Sequence, residues 1–128
     1  MKRPSALFLL FFLLSVPPAH AADAAPSYID LTDAPTIAVD WSKGNTQAVT
    51  LRGNRTLIFS NGQKGGHYML IIKQDATGSR TVTWPSSMRW PGGPPQAGML
   101  TTTKDKADVL TIFYDGGNYY VLGLSQNY

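Results

Sequence analysis

A chain of 128 residues with no cysteine and no glutamate is long enough for one domain and offers no disulfide, thiolate nucleophile or iron–sulfur ligand. Eleven Lys and Arg stand against eight Asp, but Lys2 and Arg3 lie in a segment expected to be removed, which leaves nine against eight, a net of +1. The remaining cations are scattered singly, so the basic face that nucleic acid requires is missing.

The first 21 residues read as a secretory signal. Lys2 and Arg3 form a positive start, Ala6 to Val16 is an almost unbroken apolar run, and Pro17-Pro18 ends it. Ala19-His20-Ala21 offers the small–x–small pattern of a cleavage site, placing the cut after Ala21. The apolar run is too short to cross about 30 Å of hydrocarbon at roughly 1.5 Å per residue, so no membrane span is expected in the mature chain. Residues 22–34 then read as a poorly ordered lead-in, within which Tyr28, Ile29 and Leu31 could pair as a short strand. A secreted or periplasmic location follows from this reading.

Residues 35–128 read as a single all-β domain. From Pro35 to Ser42, Ile37, Val39 and Trp41 alternate against Thr36, Ala38 and Asp40, the period-2 signature of a half-buried strand. Lys43-Gly44-Asn45 turns the chain, and Gln47 to Leu51 is a second strand with Val49 and Leu51 inward. After Gly53-Asn54, Thr56 to Phe59 is a third. Asn61 to Gly66 holds three glycines but is followed by no GK[ST] and no helix, so it reads as a plain connection and not a phosphate cradle.

His67 to Gln74 is apolar on both faces at its middle, which predicts a central strand covered on both sides. Asp75 to Ser79 is turn chemistry, with Gly78 free to take positive φ, and Arg80 to Trp84 is expected to return as the hairpin partner, Val82 and Trp84 inward. Pro85 ends that strand. A Pro/Gly-rich loop follows, and Met99 to Thr103 is read as a short strand. Asp108 to Tyr114 and Tyr119 to Leu124 form the clearest hairpin, closed by Asp115-Gly116-Gly117-Asn118. No helical stripe is present, and the short, regularly spaced strands predict an antiparallel, jelly-roll-like β-sandwich or a small barrel.

Three segments carry a resemblance: TLRGNRTL (50–57), IKQDATGSRTVTWPSSMRWPGG (72–93) and DVLTIFYDGGNYYVLGLS (108–125). They resemble a β-rich domain found in tail-fibre and other receptor-binding or structural proteins of tailed bacteriophages, over about Thr36 to Tyr128. The resemblance implies a fibre-type module, a homotrimer as one expected assembly, and no catalytic residues to carry over. A leading secretion signal departs from that setting and suggests an exported, stand-alone copy.

The inventory for chemistry is thin. His67 is the one histidine of the mature chain, with no G-x-S-x-G elbow to serve, and it reads as a strand-edge residue. One histidine and scattered aspartates make no metal site, and no cofactor is expected. Asp30 with Asp33, or Asp105 with Asp108, are close enough to raise paired-carboxylate chemistry, yet each pair reads better as solvated turn aspartates. Trp90 stands apart, because no strand pattern demands it. With Arg89 beside it and the Ser86 and Ser87 hydroxyls nearby, it has the makings of a sugar-stacking platform; the competing reading is a plug at one end of the sandwich or at a subunit interface. The sequence therefore points to an exported, non-catalytic binding or adhesion module for a surface glycan or other polymer. A structural or oligomerisation domain is the alternative, and a polysaccharide-active enzyme is disfavoured.

Overall fold

The computed structural model describes residues 27–93 and 99–128; the expected signal segment 1–21 lies outside them. Among the described residues nine strands are formed: β1 (Tyr28–Asp30), β2 (Thr36–Asp40), β3 (Thr46–Leu51), β4 (Arg55–Ser60), β5 (His67–Gln74), β6 (Val82–Thr83), β7 (Met88–Arg89), β8 (Ala107–Tyr114) and β9 (Tyr119–Ser125). They make two open sheets, a six-stranded one in the order β1-β3-β5-β8-β9-β7 and a three-stranded one in the order β2-β4-β6. Of the lead-in 22–34, the stretch Tyr28–Asp30 is thus strand, paired with Thr46–Ala48.

The all-β expectation holds, as two sheets and not a closed barrel, but the strand directions differ from the antiparallel scheme. Through β6 the chain alternates between sheets, so each strand reaches its same-sheet neighbour only after a full circuit and runs in the same direction. β1, β3 and β5 are parallel, and so are β2, β4 and β6. Only β8, against β5 and β9, pairs antiparallel. The β8–β9 hairpin forms where the sequence placed it, closed by a bond from Asp115 N–H to the Asn118 carbonyl. It carries one irregularity of register at Thr111/Ile112.

Period-2 alternation sends one side of each strand into the space between the sheets. Ile37, Val39 and Trp41 from β2 and its end meet Val49, Leu51, Leu57, Leu70, Ile72, Leu110 and Ile112, all buried. At roughly 25 cal/mol per Å² of apolar area removed from water, this layer is the main stabilising term. Two buried amides pin the crossovers. Gln47 donates to the carbonyls of Asp40 (2.8 Å) and Gly44 (3.0 Å), fixing the passage from β2 to β3. Gln74 donates to the carbonyls of Arg80 (2.8 Å) and Thr101 (2.9 Å) and accepts from Arg80 N–H (3.0 Å), fixing the passage from β5 toward β6.

Three local expectations are corrected. Arg80 to Trp84 is no hairpin partner of β5: both edges of β5 are taken, by β3 and β8. The Asp75–Ser79 turn instead carries the chain into the opposite sheet, where Val82–Thr83 joins β4. Gly78 does take positive φ (71°), and a Cβ there would lie 2.7 Å from backbone atoms of Thr102 and Lys104. Second, β5 is central in its sheet but covered on one face only, since Met69 keeps 38% exposure on the other. Third, Met99 to Thr103 is not a strand; it is tied down by side chains, among them Asp108, which accepts from Thr101 N–H at 2.6 Å.

Candidate functional site

The loop singled out by its tryptophan is held between the two sheets. Met88 is buried, β7 lies parallel to β9, and Tyr119 N–H donates to the Ser87 carbonyl at 2.9 Å. Ser86 is exposed and Ser87 half-buried. Arg89 is exposed, and its guanidinium turns back on its own loop, donating to the carbonyls of Ser86 (3.1 Å) and Met88 (3.3 Å). Trp90 is half-buried against the core and meets Trp84 edge-on, with ring centroids 5.2 Å apart. The four residues therefore flank or lie on the short strand β7, with the indole of Trp90 spending much of its surface on the protein.

A second cluster, not singled out by the sequence, lies where β2 and β4 end and β3, β5 and β9 begin. Four ring contacts run through it: Trp41 stacks on Tyr68 (4.7 Å) and meets Phe59 edge-on (5.3 Å), Phe59 meets Tyr119 (5.1 Å), and Tyr119 stacks on Tyr114 (4.2 Å). The Asn61–Gly66 loop is laid against these rings. Gln63 N–H donates to the Tyr68 hydroxyl at 2.8 Å, and Gly65 N–H to the Tyr114 carbonyl at 2.7 Å. Glycine is needed for the approach, because a Cβ on Gly66 would sit 2.5 Å from the Tyr68 hydroxyl and one on Gly62 2.6 Å from that of Tyr119. Burial pushes the Tyr119 phenol above its ordinary value.

Beside these rings opens a cavity of 360 Å³ lined by Trp41, Ser42, Asn45, Gln63, Lys64, Gly65, Gly66 and Tyr68. Trp41 is 2% exposed, and its indole Nε1–H is the one buried side-chain polar atom without a partner among the described residues. The two carboxylates of this end are already occupied. Asp40 accepts from Ser42 N–H (3.0 Å), Ser42 hydroxyl (2.6 Å) and Asn61 Nδ2 (3.0 Å); these bonds hold its carboxyl below the usual range. Asp115 accepts from Asn118 N–H (2.7 Å), Gly117 N–H (2.8 Å) and Tyr120 hydroxyl (3.0 Å), and is lowered likewise. Alternation assigned Trp41 to the core, which is right for its ring. The available signal for the cavity was that two glycine-bearing loops, 43–45 and 61–66, each connect the same pair of sheets and so must emerge side by side.

The opposite end is ionic. Asp33 takes a two-point contact from Arg55 (2.8 and 2.7 Å), and Asp75 takes one from Arg80 (3.3 and 3.0 Å). In each case the arginine beside it holds the carboxyl below its ordinary value. Two cavities of 230 and 440 Å³ share Thr50 and Arg52 there. The carboxylates weighed as catalytic pairs separate: Asp33 is ion-paired, Asp30 lies exposed on β1, and Asp105 sits in an exposed turn at φ 60°. Asp108 is not a solvated turn residue. It is 1% exposed and accepts from Thr101 N–H, Gln126 Nε2 (3.1 Å) and Asn127 N–H (3.1 Å). Among the described residues no three His or Asp side chains gather as metal ligands, and no helix is long and apolar enough to cross a membrane.

A search of the curated proteins and of the solved structures finds no match. A family model does match. The family is described as "Putative phage tail fibre C-terminal domain", and the match covers residues 33–119, from just before β2 to the first residue of β9. That span takes in both crossovers, the Trp90 loop and the aromatic end, and as it is well over half of the sequence, the chain belongs to this tail fibre C-terminal domain family.

Proposed function

We propose that this chain is an exported, non-catalytic adhesion module, a rigid two-sheet scaffold whose loops dock a surface glycan or other polymer. Family membership supports a structural or adhesive role. The observation that carries the binding reading is the aromatic end. There, loops from both sheets are fixed against packed rings and leave a cavity bordered by amides, hydroxyls and an ammonium group. A concave site with several placed polar groups is one in which a polar ligand can be oriented. Export rests on Lys2, Arg3 and the apolar run that follows them. The test is binding of the purified chain to a panel of bacterial surface polysaccharides, with Trp90→Ala and Asn45→Ala run beside it. Retention that is lost with either variant supports an adhesion module and says which loop serves it. No retention on any polymer sinks the reading.

A second reading, an oligomerisation domain, is favoured by the outer face of the six-stranded sheet. Tyr28 (50% exposed), Met69 (38%), Tyr120 (39%) and Leu122 (57%) are turned away from the core there, and exposed apolar surface of this kind marks contact sites. A homotrimer covering that face would appear in light scattering as three chain masses, and Met69→Lys would reduce it to one.

A further inference from the structure

Resting on the adhesion reading, we infer that the aromatic end holds an N-acetylated amino sugar, with the ring in the cavity of 360 Å³ and the acetyl group in an apolar slot beside it. The slot, of 170 Å³, is lined by Asn45, Thr46, His67, Tyr68, Met69 and Thr111. Strand register accounts for its character. Thr46 pairs with Met69, and Met69 with Thr111, so the three stand in one row on the outer face of the six-stranded sheet. His67, two positions before Met69, shares that face, its ring held against Phe113 with centroids 5.1 Å apart. A thioether, two threonines and ring edges leave the slot walled mostly by carbon.

The slot and the larger cavity share Asn45 and Tyr68. The Tyr68 ring is buried and its hydroxyl accepts from Gln63 N–H, so Asn45, which is exposed, is the polar group at the join. Its backbone is spent: the N–H donates to Ser27 Oγ at 3.1 Å and the carbonyl accepts from Met69 N–H at 2.8 Å. Its carboxamide has no partner among the described residues and offers a donor and an acceptor together. The substituent that answers both at once is another amide. On the cavity side the free groups are mixed as well. The Gln63 carboxamide donates and accepts, Lys64 donates, and the Ser42 hydroxyl, which gives its hydrogen to Asp40 at 2.6 Å, accepts. Such a rim suits neutral sugar hydroxyls, which do both. Hydroxyls on one side, an amide at the join and a methyl group in the slot are the order of groups on an acetamido sugar.

The test sets three trisaccharides against the 15N-labelled chain. They are chitotriose, cellotriose, which has hydroxyls in place of the acetamido groups, and the glucosamine trimer, which keeps the nitrogens and lacks the acetyls. Chitotriose is expected to shift the backbone amides of Asn45, Met69 and Thr111, and its acetyl methyl protons should receive the most saturation from the protein. The other two should bind about tenfold more weakly or worse, as loss of a group seated in an apolar pocket does. Asn45→Ala keeps both backbone bonds and removes the carboxamide, and should weaken chitotriose about fivefold. Thr111→Tyr fills the slot with a residue that strands accept, and should bring chitotriose down to the level of cellotriose. Equal binding of cellotriose, tighter binding of the glucosamine trimer, shifts centred on Trp90, no response to any trimer, or an unchanged chitotriose affinity in either variant would each overturn the assignment. Shifts at Asn45, Met69 and Thr111 that follow chain concentration and not chitotriose would give the slot to a second copy of the chain, and overturn it too. If the chain is retained on a surface polysaccharide while chitotriose leaves it unmoved, the adhesion module stands and only this site for it falls.

Discussion

The two ends of the sandwich are built from different chemistry on the same strands. At one end the crossing loops are packed onto a chain of four aromatic contacts, Trp41–Tyr68, Trp41–Phe59, Phe59–Tyr119 and Tyr119–Tyr114. At the other they are tied by polar side chains: Gln74 to Arg80 and Thr101, Asp108 to three donors, and two arginine–aspartate pairs. The difference teaches two ways in which a crossing loop can be fixed. Ring packing holds loop backbones at a distance set by ring thickness and leaves polar groups at the rim unspent. Side-chain hydrogen bonding to backbone consumes those groups as it ties the loop down. Cavities open at both ends, of 360 Å³ beside the rings and of 230 and 440 Å³ beside the ion pairs, so the ends differ in how their loops are tied and not in whether space is left.

This contrast can be broken from either side. The largest effect is expected at the aromatic end, where Trp41→Ala removes the ring on which Tyr68 and Phe59 pack and should cost about 3–5 kcal/mol in denaturant unfolding. Next comes the ionic end: Asp108→Ala takes the acceptor from the Thr101 and Asn127 N–H groups and from the Gln126 amide, and should cost about 1–3 kcal/mol, with early hydrogen exchange at the Thr101 and Asn127 amides. A smaller loss, about 1–3 kcal/mol, is expected for Gly66→Ala, whose methyl would lie 2.5 Å from the Tyr68 hydroxyl and push it off Gln63. The Tyr68 ring resonances should shift with it. Were Gly66→Ala to match Trp41→Ala in cost, the loop and not the rings would be holding that end.

The smallest effect sharpens the electrostatic side. Asp33 and Asp75 titrate below their ordinary value of 3.8, chiefly because of Arg55 and Arg80. The stabilisation they give is complete above that value and is lost as pH falls through their lowered ones. Arg55→Ala should thus melt slightly below wild type at neutral pH and coincide with it once Asp33 is protonated in both. Added salt should narrow the neutral-pH gap. A gap that persists in strong acid would assign Arg55 a packing role and not an ionic one.

Much of this was legible in the sequence, and the illegible part has a common cause. Alternation gave the strands near residues 36–42, 47–51, 56–59 and 67–74 and the inward positions Ile37, Val39, Trp41, Val49 and Leu51, all of which are buried. The Asp-Gly-Gly-Asn turn gave the β8–β9 hairpin. The partner of Arg80–Trp84 was misread because a Gly-containing turn between two strands looks the same whether the chain doubles back or crosses to another sheet. Asp108 looked like a turn residue because its donors, Thr101, Gln126 and Asn127, come from segments 7 to 19 positions away.

The Trp90 loop and the Trp41 cavity divide along the same line. Trp90 drew notice because no local pattern explained it, and its explanation is Trp84, a ring six positions back that folds against it. Trp41 drew none because a local pattern explained its ring completely, leaving its N–H out of account. The sequence by itself determined which residues face inward, since a side chain's face depends only on the parity of its position along a strand. The tertiary structure alone decided which strands became neighbours, in which direction, and which polar groups were left unspent, because those follow from the closing of circuits between two sheets.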